Sequence, residues 1–515
     1  MKNPLFNWLD HRASGVLLHP TSLPGDFGIG TLNDHCLQFI DFLAEADFKY
    51  WQICPLGPTG YGNSPYQSFS TFAGNPYLIS LNGLHARDLL DEKILDDLSH
   101  LPQSFVDYGG LYMSKWPVLD SVYETFVQGN EKIRPYGPFG EFKEKHSEWL
   151  EPFAYYQALK EKFDGKPWYE WPKTFRSFKT ASKSKVRKEL ERAIDAQKFF
   201  QYLFFGQWDI VRQHANEKGI KIIGDLPIFV ALDSADVWQN QELFQLDPKT
   251  SLPIAVAGCP PDYFAVDGQF WGNPLYDWDR MKEDNYAWWT KRLQASFDMY
   301  DVVRLDHFRG FDEYWRIPYG AETAREGEWV KGPGIDFFKT IKKNLKTCDL
   351  IAEDLGELSE TVMELLEESG LPGMTVLQFA FGGDNNNLYL PHNIKPNTII
   401  YPGTHDNDTS LGWYETADAK TQDHVRQYYN VTGDEVGWDL IRSCYRSVAK
   451  LSILPLQDLL SLGSEARFNL PGAAENNWEW RYLPEQLDSL KGESTEYLKK
   501  LAKLYYRTGG KAISE

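Results

Sequence analysis

Apolar residues along the chain gather in short runs, and stretches of helical period separate the runs. Gly15-Val16-Leu17-Leu18 is the first run, closed by His19-Pro20 and a loop that holds Gly25, Gly28 and Gly30. Those glycines match neither GxGxxG nor GxxxxGK[ST], so they read as a strand-end loop rather than a phosphate cradle. Between Asn33 and Phe48, the residues Cys36, Phe39, Ile40 and Leu43 fall at i, i+3, i+4 and i+7, one face of a helix. Tyr50 to Leu56 predicts the next strand, closed by Gly57-Pro58. Strand, helix and strand at this spacing predict a parallel βαβ unit. Six more strands are expected to begin near residues 220, 301, 349, 374, 398 and 452, which makes eight. Eight parallel strands with intervening helices predict an α/β fold of the (β/α)8 TIM-barrel type, whose chemistry sits at the C-terminal strand ends.

The spacing is uneven in two places. Residues 1–82 supply the first two strands and an aromatic loop, Tyr61 to Tyr66. Residues 83–198 are charged and helix-prone, too long for a βα loop, and are expected to form a helical insertion subdomain. Residues 199–515 hold the rest of the barrel, beginning with a helix marked by Phe200, Phe204, Trp208 and Val211. Within them, about 255–275 mixes glycines with Tyr263, Phe264, Phe270 and Trp271 and reads as a mobile lid loop. A surface loop packed on its own aromatics is the alternative.

Polar residues at the predicted strand ends change the picture. In Asp301-Val302-Val303-Arg304-Leu305-Asp306-His307 a period of two puts Arg304 and Asp306 on one face and Val303 and Leu305 on the other. A structural ion pair would explain that strand alone. Yet Asp225 closes the run from Ile220, Glu353 follows Leu350-Ile351-Ala352, and His405-Asp406 follow the run from Thr398. In a barrel all four ends meet at one mouth.

Composition narrows the ligand. The 515 residues carry a net charge of -20, which argues against a nucleic-acid surface and fits a neutral ligand. Aromatic residues make up 15% of the chain, many in polar Gly/Pro-rich stretches, as platforms for a sugar ring require. Five scattered cysteines form no CxxC pair and predict free thiols in a reducing compartment. No run approaches the roughly 18 apolar residues of a membrane span, and Met1 to Asp10 lack a leader pattern, so a cytoplasmic location is expected.

Carboxylates, an Arg, a His and an aromatic cleft suit glycoside chemistry. Two carboxyls flank the bond, about 5 to 5.5 Å apart when configuration is retained. Arg304 is expected to lower the Asp306 pKa by about 1 to 3 units, which favours Asp306 as nucleophile. Glu353, with no cation on its face locally, is expected to keep a raised pKa and donate the proton. Asp406 would hold hydroxyls of the reacting ring, with His405 and His307 as further hydroxyl partners.

Gly224-Asp225-Leu226-Pro227, Arg304-Leu305-Asp306-His307, Ala352-Glu353-Asp354-Leu355-Gly356 and Thr404-His405-Asp406-Asn407 resemble the four signature segments of the α-amylase superfamily. In detail the chain is similar to glycoside hydrolase family 77, the amylomaltases or 4-α-glucanotransferases. The likeness runs from Leu18 to Pro24 and Ser64 to Gln67, through Pro260 to Phe264 and Trp271 to Pro274, to Asn477 to Arg481. It implies Asp306 as nucleophile, Glu353 as acid/base and Asp406 as transition-state stabiliser. It implies Tyr66 stacked at the reacting glucose, and Tyr263, Phe264, Gln269 and Trp271 in a lid over the acceptor side. Asp225, Arg304, His307 and His405 complete the expected substrate contacts. The resemblance also implies α-1,4-glucan donors and acceptors, no metal or organic cofactor, and no C-terminal β-domain.

Transfer demands more than the acids. Water at about 55 M competes with acceptor at roughly millimolar concentration, so transfer must be favoured by about 6 kcal/mol in relative barrier. Acceptor positioning and water exclusion by the lid are expected to supply it. An α-amylase-type hydrolase and a non-catalytic glucan-binding protein are the alternatives.

Overall fold

The computed structural model describes residues 4–25, 27–60, 62–129, 136–261, 266–356, 358–473 and 475–511. Its strands are β1 (His11–Leu17), β2 (Tyr50–Gln52), β3 (Lys221–Pro227), β4 (Ala255–Cys259), β5 (Gln269–Pro274), β6 (Val302–Asp306), β7 (Glu313–Pro318), β8 (Glu328–Lys331), β9 (Leu350–Ala352), β10 (Gly373–Val376), β11 (Thr398–Tyr401), β12 (Leu451–Pro455) and β13 (Thr508–Lys511). Eight of them, in the order β10-β11-β12-β1-β2-β3-β6-β9, form the parallel barrel, each at a position the apolar runs predict. The Ala352 N–H donates to the Pro372 carbonyl at 2.9 Å and joins β9 to the start of β10, closing the ring.

Two apolar cores follow from the alternation of side chains along each strand. Tyr50, Ile223, Val302, Ile351, Met374, Ile399 and Leu451 point into the barrel. Val16, Trp51, Ile222, Val303, Leu305, Leu350 and Ile400 point outward into the layer beneath the helices. The helix Asp34–Glu45 shows how that layer is built. Asn33 caps it by accepting from the His35 and Cys36 amides, and Cys36, Phe39, Ile40 and Leu43 are buried against the strands.

Between β2 and β3 the chain is helical, with Tyr108–Gln128, Ser147–Lys162 and Glu191–Glu217 as the long elements. Their buried faces join the outer core of the barrel itself. Two fully or nearly buried glutamines on Glu191–Glu217 tie the helix to the aromatic segment after β2. Gln201 accepts from the Gly74 N–H at 2.7 Å and donates to the Gly74 carbonyl at 2.9 Å. Gln207 makes the same pair with Ser80, at 2.7 and 3.1 Å. A side chain at position 74 would collide with the Phe204 ring, so only glycine lets the backbone come this close. Gln201→Ala leaves two buried backbone groups without partners, and a loss of about 2–4 kcal/mol is expected in urea denaturation.

Over the stretch expected as a lid loop, β4 and β5 form a hairpin instead. They join β7 and β8 in an antiparallel sheet of order β5-β4-β7-β8. Val256 and Ile317 pair across it and are buried with Ala324, and that burial holds the stretch in register. Tyr263 and Phe264, expected at the lid, lie outside the described residues. After β12, one strand follows among the described residues, β13, antiparallel to β1.

Candidate active site

Each polar strand end sits on the inward face, directly above the apolar layer. Asp225 follows Ile223 on β3, Arg304 and Asp306 follow Val302 on β6, and Glu353 follows Ile351 at the end of β9. Register fixes the neighbours: Asp225 pairs with Arg304 on the adjacent strand, and Leu305 pairs with Ala352, one step below Asp306 and Glu353. A side chain at Gly224 would strike the Tyr300 ring, so the strand reaches this close packing only with glycine beside Asp225.

Arg304 is the hub. Its Nη1 donates to both Asp225 oxygens, at 2.8 and 2.7 Å, and to Asp306 Oδ1 at 3.0 Å. The Arg304 and Asp225 side chains are 4% and 1% exposed, while Asp306, at 28%, opens to the cleft. Tyr66 donates its hydroxyl to Asp225 Oδ2 at 2.8 Å. Its ring stacks on His405, 5.1 Å between centroids and 14° between planes. Asp225 is thus occupied by Arg304 and Tyr66.

Glu353 is held by backbone. Its Oε1 accepts from the Leu355 N–H at 2.8 Å and its Oε2 from the His307 N–H at 2.7 Å. His307 adopts a left-handed conformation, φ 55°, which is uncommon outside glycine and turns its amide toward Glu353. The Trp271 ring stands perpendicular to the His307 ring at 4.8 Å. Trp271 Nε1 donates to Gln269 Oε1 at 3.0 Å, so both residues lie on β5 beside the barrel mouth.

Asp406 and His405 form the third side. His405 Nε2 lies 3.3 Å from Asp406 Oδ2, and the Asn469 amide donates to Asp406 Oδ1 at 2.6 Å. Burial raises the Asp406 pKa, but the His405 charge and hydrogen bond and the Asn469 amide outweigh it and bring it down to about 2. His405 moves the other way: burial lowers it and Asp406 raises it more, so its charged form is favoured.

The expected lowering of Asp306 is corrected here. Burial raises its pKa to about 7; Arg304 opposes this, while Asp225, Glu353 and Asp406 add to it. The reason is that the cost of burying the charge outweighs the single bond from Arg304. Glu353 is raised as expected, by burial first, against Arg304 and the two amides. Both carboxyls are therefore held above the ordinary range, and the Glu353 charge adds to the rise of Asp306. A retaining mechanism needs one ionised nucleophile and one protonated acid. With Asp306 as nucleophile and Glu353 as acid, the expected kcat/KM profile rises toward about pH 7 as Asp306 ionises and falls at higher pH as Glu353 loses its proton, measured by initial rates across buffers.

The barrel brings together Tyr66, Asp225, Arg304, Asp306, His307, Glu353, His405 and Asp406, with Trp271 and Gln269 alongside. Sequence reasoning gave no role to Trp478, whose ring lies 5.8 Å from Tyr66 and 6.1 Å from His405. It also passed over Asn469 and over Arg467, which donates to the Asp406 carbonyl at 2.9 Å. The one available signal was the aperiodic, aromatic-rich Asn476 to Trp480. Among the described residues no three of His, Cys, Asp and Glu converge as a metal site.

A parallel barrel with acids from three of its strand ends at the C-terminal mouth and stacked rings beside one of them is the arrangement of a glycoside-processing enzyme. Residues 18–486 match the glycoside hydrolase family 77 profile, described as 4-alpha-glucanotransferase. The 4-alpha-glucanotransferase of Clostridium butyricum is 44% identical over 467 residues, 90% of this chain and 95% of the relative. That of Thermus thermophilus is 46% identical over 486 residues, 92% and 96% of the two chains. The solved structure of an amylomaltase from Streptococcus agalactiae in complex with acarbose superposes with a TM-score of 0.92 at 39% identity, covering 97% of this chain and all of that one (100%). The chain belongs to glycoside hydrolase family 77, the 4-alpha-glucanotransferases.

Proposed function

We propose that the protein moves α-1,4-glucan segments between maltooligosaccharides or longer starch- and glycogen-like chains by a retaining double displacement. The observation that carries this reading is the placing of Asp306, bonded to Arg304, and Glu353, held by two backbone amides, at the ends of neighbouring barrel strands, in a chain whose family consists of transferases. Acarbose, bound by the Streptococcus agalactiae relative, is an α-glucan-like sugar and supports the same substrate class.

In the first step Asp306 attacks the anomeric carbon. Arg304 engages Oδ1, so attack falls to Oδ2. Glu353 gives its proton to the departing glycosidic oxygen, and the bond electrons leave with the cleaved sugar. In the second step Glu353 takes a proton from the acceptor hydroxyl, whose oxygen displaces Asp306. A glycosidic oxygen beside Glu353 favours its protonated form, and Asp306 reacts in its ionised form. Asp406, kept ionised by His405, Asn469 and Arg304, stabilises the positive charge that develops on the ring. Tyr66 supports the reacting glucose, and Trp271 and Gln269 flank the acceptor side and limit water.

The helices at 83–198 serve as a subdomain that buttresses the Tyr66 segment through the returning helix. Four buried free thiols, Cys36, Cys54, Cys348 and Cys444, support a reducing, cytoplasmic setting. No helix among the described residues is long and apolar enough to cross a membrane.

Incubation with maltotriose tests the reading. A chromatographic ladder of longer maltooligosaccharides plus glucose is expected. Only shorter sugars would mean a hydrolase, and unchanged maltotriose with retained binding would mean a glucan-binding protein.

A further inference from the structure

Beside His405 lies a cavity of about 20 Å³, room for one water. His19 and Ser22, at the end of β1, wall it together with Thr404, His405, Asn407 and Arg467. Both are buried, and His19 Nδ1 and Ser22 Oγ find no hydrogen-bond partner among the described residues. Buried polar atoms in native proteins almost always have a partner, protein or water. Two orphans on the wall of one small cavity point to one shared guest. The volume excludes a sugar, and the flanking Arg467 and His405 disfavour a cation.

His405 needs support from that direction. Its Nε2 faces Asp406 and one ring face lies on Tyr66, while the Trp478 ring is tilted at 6.1 Å. We propose that a single ordered water fills the cavity, tying His19 Nδ1 and Ser22 Oγ to His405, and that His19 is a positioning residue fixing the His405 ring and, through it, Asp406. The inference rests on the reading above that His405 and Asp406 face the reacting sugar. Burial, and then the His405 charge, lower the His19 pKa to about 3, so its ring stays neutral and can accept from the water. The Phe468 ring, 6.1 Å away, supports its apolar side. The charged and titratable groups facing His405 are Asp406, Arg304, Asp225, His19 and Tyr66, with Asp408, Arg467 and Cys54 on the cavity wall.

The test compares His19→Phe, which keeps a ring against Phe468 but no nitrogen, with His19→Gln, which keeps polar atoms. His19→Phe should lower kcat on maltotriose by about 10-fold to 100-fold with KM within about twofold, as a misplaced catalytic group does. The His405 titration, followed by NMR on 13C-histidine-labelled protein, should move to lower pH in His19→Phe, and His19→Gln should restore most of both. A high-resolution crystal structure of the full chain should show one solvent peak within hydrogen-bonding distance of His19 and Ser22. No peak, or an unmoved His405 titration in His19→Phe, overturns the water link. A moved titration with unchanged kcat, or equal losses in Phe and Gln variants, overturns the positioning role. The titration and the peak do not depend on catalysis, so they separate this inference from the site assignment, which would fail if Asp406→Asn kept full activity.

Discussion

Asp306→Asn is expected to lower kcat by about four to six orders of magnitude while the protein becomes more resistant to heat at pH 8. The rate loss follows because an amide cannot form the covalent glucosyl intermediate, and removing a group that acts within a unit forfeits most of the unit's contribution. The gain in stability follows from the sign of the pKa shift. Burial and the neighbouring acids raise Asp306 to about 7 in the folded protein, above the ordinary carboxylate value of about 3.9. The folded state therefore binds a proton that the unfolded chain releases, and Asp306 lowers stability progressively as pH rises from about 4 to about 7. Asparagine removes that penalty. The expected observation is a higher melting temperature than the parent at pH 8 and little difference at pH 4. A variant that retains activity would move the nucleophile elsewhere, and a variant destabilised at pH 8 would mean that Asp306 sits ionised and well paired.

Arg304→Met is expected to destabilise the fold by about 3–5 kcal/mol, because it leaves Asp225 buried beside Asp306 with no compensating charge. Activity should fall below detection along with it. The double variant Arg304→Met with Asp225→Asn separates the two effects. It removes the stranded charge and should recover much of the stability in guanidinium denaturation, while activity stays lost because nothing orients Asp306. Arg304→Lys should fall between them, since one ammonium cannot reproduce the guanidinium contacts to both acids. If Arg304→Met proved as stable as the parent, solvent would have to reach Asp225, against its 1% side-chain exposure.

The barrel strands were legible because their two faces are both covered, which turns each into a nearly continuous apolar run that stops at a polar residue. The same property revealed Asp225, Arg304, Asp306, Glu353 and His405-Asp406, since charge at the end of such a run has no reason to be there unless the strand opens into a cleft. The antiparallel sheet was not legible. Its strands are short: β4 is built of small residues, β5 and β8 are partly exposed, and β5 mixes aromatics with glycine, asparagine and proline, a composition that loops share. Asp306's pKa was misread because its strand neighbour Arg304 is visible locally, whereas the burial that outweighs it, and Asp225 from 79 residues away, are set by the tertiary fold. Trp478 and Asn469 reach the site from irregular backbone, where no period marks which side chains turn inward. His19 looked like loop punctuation until the walls around it were assembled.

Closure of the ring also governs how the chain can be made. β1 is hydrogen-bonded along one edge to β12, with Ala13 opposite Leu451. A ribosome adding about 5–20 residues each second delivers that partner strand tens of seconds after β1 has emerged. During that interval one edge of β1 is bare and the inward-facing acids have no finished enclosure. An open strand edge of this kind invites pairing with another chain. A chaperone is therefore expected to engage the nascent chain rather than the closed barrel.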